Sequence, residues 1–200
     1  YTQLTLGPLP PETAEELLHA LLGENPQLQP LRQLLVERTE RNPFFLEESV
    51  RALIETGVLI GEPGAYRATR VHTSIPVPAT VQAVLAARID RLAPGDKRLL
   101  QCASVIGENV PVGLLHAVAD MAENELRDGL GRLRAGEFVY DITLFPEPEY
   151  IFRHGLTRQV AYNSLLREPR SALHARIVDA IESGGKEATG LVTRFSRTAQ

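Results

Sequence analysis

Apolar residues recur every three to four positions through most of this chain, the spacing of helices that bury one face. Pro10 and Pro11 open the first such stretch, with Glu12, Glu15 and Glu16 in its first turns, where the helix dipole favours acids. Leu17, Leu18, Leu21 and Leu22 form its apolar face, and Gly23 ends it. A second helix is predicted from about Leu28 to Thr39, with Leu31, Leu34 and Leu35 on one side. Asn42 can cap a third and Pro43 fits its first position. This helix runs through Val50, Leu53 and Ile54 to Gly57, and its Glu47 and Glu48 read as a solvated face. A hairpin is predicted next, Val58 to Ile60 and Ala65 to Ala68 around the turn from Gly61 to Gly64. Residues 71–77 read as a linker and candidate hinge.

Pro78 starts a further helix with Val81, Val84, Leu85 and Ile89 on its apolar face, ending near Leu92. Pro94-Gly-Asp96 separates it from a very apolar helix, Lys97 to Ile106. Helices from Val110 to Ala119 and from Ala122 to Ala135 follow. A second hairpin pairs Phe138–Tyr140 with Tyr150–Phe152 around Pro146 and Pro148, and two helices close the pattern, His154 to Leu166 and about Arg170 to Ile181. The expected fold is mostly α: a small helical unit over residues 8–75, then three helices and a hairpin in the order of a winged-helix domain over 78–183. Thr2 to Leu6 alternates polar and apolar, so residues 1–7 read as the last strand of a domain upstream. The chain begins inside that strand, on Tyr1, and reads as a fragment of a longer protein. Residues 184–200 lose the apolar period and read as a tail.

Charge and chemistry narrow the picture. A net charge of -4 argues against a nucleic-acid binder. The helix that would read a DNA groove, Ala122 to Ala135, sets Arg127, Arg132 and Arg134 against Glu123, Glu125 and Asp128. The single cysteine, Cys102, allows no disulfide framework and makes a cytoplasmic setting the default. No apolar run approaches the roughly 18 residues of a membrane span. A phosphate-gripping Gly-x-x-x-x-Gly-Lys-Ser/Thr loop is absent: Gly185-Lys186 is followed by Glu187, and position 180 is Ala. No zinc-binding histidine spacing and no Gly-x-Ser-x-Gly elbow occur. The chain alone therefore has no catalytic site for ATP hydrolysis.

One stretch stands out, Tyr150 to Tyr162, where a short strand runs straight into a helix start with His154 at the junction. The first amides of a helix favour an anion in front of them, and a histidine there adds a hydrogen bond or a charge. Two readings stay open for His154: an anion contact, or a residue that only caps the helix or packs in the core.

The segments from Glu37 to Leu53, Glu55 to Leu59, Val77 to Leu92 and Tyr150 to Tyr162 are long and specific. Over residues 4–183 the chain resembles the C-terminal part of the nucleotide-binding module of STAND-class ATPases. Its closest likeness is the version found in bacterial multidomain proteins beside class III adenylate/guanylate cyclase domains and tetratricopeptide repeats. The resemblance implies a helical lid over 8–75 and a winged-helix domain over 78–183. It also implies an upstream P-loop core that holds ATP or ADP with Mg, and effector domains or repeats in the same protein. The family's Gly-x-Pro motif, whose proline packs on adenine, falls on Arg41-Asn42-Pro43, with Arg41 in place of the glycine. His154 corresponds to a histidine that contacts the phosphates of ADP, and the expected nucleotide-binding residues are His154, Arg153, Asn42 and Pro43. The expected role is a non-catalytic regulatory part of a nucleotide switch. The alternatives are a DNA-binding transcription module or an interaction scaffold without nucleotide.

Overall fold

A computed structural model describes residues 7–69, 78–143 and 148–183. The expected strand Thr2–Leu6, the linker 71–77, the turn at Pro146 and the tail from 184 lie outside the described residues. The chain divides between Arg88 and Ile89 into two compact units.

The first unit opens with α1 (Pro11–Leu22). The predicted second helix is split: Asn25 accepts a hydrogen bond from the Gln27 amide and starts a single 3-10 turn (Pro26–Leu28), and α2 (Gln29–Arg38) follows. Its Arg32 is buried and donates to the Gly23 carbonyl at 3.1 Å, tying α2 to the end of α1. Then come α3 (Pro43–Glu55) and a hairpin of β1 (Leu59–Ile60) and β2 (Arg67–Ala68), paired Leu59 to Ala68. Leu18, Leu22, Leu28, Leu31, Leu35 and Leu46 are fully buried in its core. Each such burial is worth about 1.5–3 kcal/mol, so the leucine stripes and not helix propensity hold these short helices. Gly23 sits at φ 87° where a Cβ would lie 1.9 Å from the Gly64 carbonyl oxygen, so only glycine lets α1 end against the hairpin turn.

The next helix, α4 (Val81–Arg91), starts later than Pro78 because Thr80 caps it, its Oγ1 accepting from the Ala83 amide at 3.2 Å. The division at Arg88 falls inside α4, whereas the sequence assigned the whole helix to the second domain. Arg88 is buried against glutamates of α3.

The second unit runs α5 (Pro94–Ile106), β3 (Asn109–Pro111), α6 (Val112–Ala119), α7 (Glu123–Ala135), β4 (Val139–Thr143), β5 (Glu149–Phe152), α8 (Gly155–Asn163) and α9 (Arg167–Ser183). Its antiparallel sheet has the order β3-β5-β4, with Val110 opposite Tyr150 and Tyr140 opposite Ile151. Helix, strand, helix, helix and a strand pair on one small sheet is a winged-helix arrangement, in a chain that is mostly α. Three expectations change. Pro94-Gly-Asp96 is the first turn of α5 and not a separator, since proline and an acid suit a helix start. Residues 109–111 form a third strand and not a helix start, because β5 offers them a long-range partner. α9 starts at Arg167, with Pro169 tolerated in its first turn. Leu99, Leu100, Leu115, Val118 and Leu133 are at the centre of this unit's core.

Candidate functional site

Asn42 and Pro43 occupy the positions the sequence assigned them. The Asn42 side chain accepts a hydrogen bond from the Phe45 amide at 3.1 Å, and Pro43 is the first residue of α3. The turn into this helix is unusual. Glu40 and Arg41 both take positive φ, 51° and 62°, where side chains are costly. The Arg41 carbonyl accepts from the Leu9 amide at 3.1 Å, and the Asn42 amide donates to the Thr39 carbonyl at 3.0 Å. Beside this turn lies a cavity of about 390 Å³. Pro8, Pro43, Phe45 and Val81 give it apolar surface, and Arg38, Thr39, Asn42, Thr80 and Gln82 give it hydrogen-bonding groups. Its size lies in the range of small-molecule sites, and its lining is mixed.

A buried charge cluster that sequence reasoning missed joins α4 to α3. Arg88 of α4 is 1% exposed in its side chain and pairs with Glu48, which is 2% exposed, and with Glu55. Its Nε donates to a Glu55 carboxylate oxygen at 2.9 Å. Burial pulls the Arg88 pKa down, but the hydrogen bonds and charges of Glu55 and Glu48 outweigh that and hold it above its ordinary value. Arg51 adds a bond to Glu48 at 2.9 Å. The expectation of a solvated face at Glu48 is thereby corrected: Glu48 faces inward because a cation from another helix meets it. The available signal was the seven-residue spacing of Glu48 and Glu55, which places both on one side of α3.

His154 and Arg153 belong to the second unit. His154 is the N-cap residue of α8 in extended conformation, and its carbonyl accepts from the Thr157 amide at 3.0 Å. Its side chain makes no capping hydrogen bond, so side-chain capping does not explain the histidine. The residue is half-buried and its Nε2 is enclosed by protein. An anion at this helix start is met first by the backbone amides, which have no intrahelical acceptor. α8 carries no acidic residue, and Arg158 lies one turn along from His154. Arg153 is exposed and forms an ion pair with Glu137, so its charge is already engaged.

Every arginine of α7 is paired: Arg127 with Glu123 at 2.7 Å, Arg132 with Asp96 at 2.8 Å, and Arg134 with Asp141 at 3.2 Å. Cys102 is buried, and burial pushes its thiol pKa up despite Arg98 and Arg176, which makes it a poor nucleophile. Among the described residues there is no cluster of metal ligands and no helix long and apolar enough to cross a membrane.

No family model matches the chain. It is similar to an uncharacterized protein of Rhizobium meliloti (strain 1021), with 28% identity over 185 residues. The match covers 90% of this chain, and the chain spans 17% of the length of that relative.

Proposed function

We propose that this chain is the regulatory lid and winged-helix portion of a cytoplasmic signalling ATPase of the STAND class, which senses ADP or ATP and controls effector domains of the same protein. The observation that carries the reading is the cavity at the Asn42–Pro43 turn, where the lid proline of such a protein packs on adenine. In this reading Pro43 and Asn42 correspond to the base contact of such a protein, and His154, at the start of α8, to its phosphate contact. Arg153 serves this site only by leaving Glu137. The nucleotide itself, with Mg, is held by a P-loop core that this chain does not contain. For a switch, the contacts must differ between the ADP and ATP states by a few kcal/mol.

The test uses the longer protein with its P-loop core. His154→Ala is expected to weaken ADP binding by about tenfold while changing ATP binding little, since one charge-assisted hydrogen bond is worth about 1.5–3 kcal/mol. Pro43→Ala is expected to weaken both nucleotides. Wild-type ADP and ATP affinities in both variants, measured by calorimetric titration, remove the reading.

A further inference from the structure

Two helix starts line the cavity, together with Gly7, Pro8 and residues 38–40. Asn42, Pro43 and Phe45 come from the start of α3, and Thr80, Val81 and Gln82 from the start of α4. Two turns along α4 lies Arg88, on the stripe it shares with Val81, Val84 and Leu85. Seven residues of helix separate Val81 from Arg88, a rise of about 10 Å. On α3 the guanidinium meets Glu48, five residues after Pro43, and Glu55 one further pair of turns on. A fork of donors bridging two carboxylates on one helix fixes both the distance and the rotation of the helix that carries it. An apolar contact at the same place would leave α4 able to slide, because dispersion and burial are not directional.

We propose that Arg88 is a positioning residue: by bridging Glu48 and Glu55 it sets how far the start of α4 stands from the start of α3, and so sets the width of the Asn42–Pro43 cavity. The cavity's capacity for a nucleotide base depends on this tie, a consequence that rests on the nucleotide reading above. The tie itself does not. Lysine cannot replace arginine here, since one ammonium on a flexible stem does not hold two carboxylates in a fixed fork.

The experiment has two arms. In the first, nitroxides are placed on Arg38→Cys and Gln82→Cys, two exposed residues that line the cavity, in the Cys102→Ser chain. Dipolar electron paramagnetic resonance then reads the distance across the cavity. A single narrow distance is expected with Arg88, and a broadened, shifted distribution with Arg88→Lys. Because Arg88→Met alone leaves a buried carboxylate without its cation and can fail to fold, Arg88→Met/Glu48→Gln is the second variant. In the second arm, ADP binding to the longer protein is expected to fall about tenfold in both variants, as it does when the competent geometry is populated about a tenth of the time. Circular dichroism below the melting transition confirms folded chains, so a purely structural role moves the melting temperature and neither readout. An unchanged distance distribution in folded Arg88→Lys and in the double variant overturns the proposal. Absence of ADP binding in the parent protein removes the nucleotide reading, while the distance measurement still decides the role of Arg88.

Discussion

Arg41 carries a backbone torsion that a side chain makes expensive. At φ 62°, next to Glu40 at φ 51°, it completes the turn from α2 into α3. A non-glycine residue in this region costs about 1–2 kcal/mol. The glycine of the resembled motif thus has a physical counterpart here: position 41 takes the conformation glycine prefers, and the hydrogen bond from the Leu9 amide to the Arg41 carbonyl helps hold it. Arg41→Gly is expected to raise stability by about 1 kcal/mol, less than the full strain because glycine also loosens the unfolded chain. Urea unfolding should show a higher midpoint with an unchanged slope, and a lower midpoint would show that the arginine side chain itself stabilises the turn. Glu48 gives the opposite lesson at the same scale. Its sequence neighbours suggest solvent, and its burial becomes tolerable only when Arg88 and Arg51 meet it.

At the scale of elements, α5 and α7 approach closely at Gly129. A Cβ there would stand 2.8 Å from Leu99 Cδ2 and 3.2 Å from Asp96 Oδ1. Leu99 is fully buried and Asp96 accepts two hydrogen bonds from Arg132, both at 2.8 Å, so neither yields cheaply. Gly131, two residues along the same helix, meets nothing within 4 Å and is exposed. The two positions therefore separate helix propensity from packing. Gly131→Ala should stabilise by about 0.5–1 kcal/mol through propensity alone. Gly129→Ala gains the same term and loses about 1–3 kcal/mol to overpacking, so it should destabilise. Thermal unfolding of the two variants reads the difference directly, and equal shifts would mean that α5 and α7 are free to move apart. The same pair of helices frames the winged-helix sheet, whose middle strand β5 leads through Arg153 and His154 into α8. The sheet thus positions the helix start at which the anion contact is proposed.

At the scale of the whole molecule, a winged-helix arrangement raises nucleic-acid binding, and the charges give a reason to expect none. The net charge is -4, and the arginines of α7 are each met by a carboxylate. Phosphate contacts need cations that can leave their partners at a net gain, with a steep dependence on salt. A titration with random duplex DNA at about 50 mM and 200 mM salt should show no salt-dependent binding. Binding that weakens by orders of magnitude over that range would restore the DNA reading.

Periodicity, caps and turn residues act between neighbours along the chain, and for that reason most of the helices were readable from the sequence. The leucine stripe of α1 and the Asn42–Pro43 start of α3 appear where the pattern puts them, as does the hairpin after Gly57. The start of α8 is displaced by one residue, to Gly155, and leaves His154 as the cap. What the pattern could not contain is partners far apart in sequence. Asn109 pairs with Ile151 and makes a strand of residues that read locally as helix. Arg88 pairs with Glu48 across 40 residues and makes a buried tie of a glutamate that reads locally as solvated. The sequence by itself determined the helices and the strand-to-helix junction at His154, since propensity and amphipathicity are local. Only the tertiary structure decided the three-stranded sheet, the cavity beside Pro43 and the burial of Arg88, since each requires segments that only folding brings together.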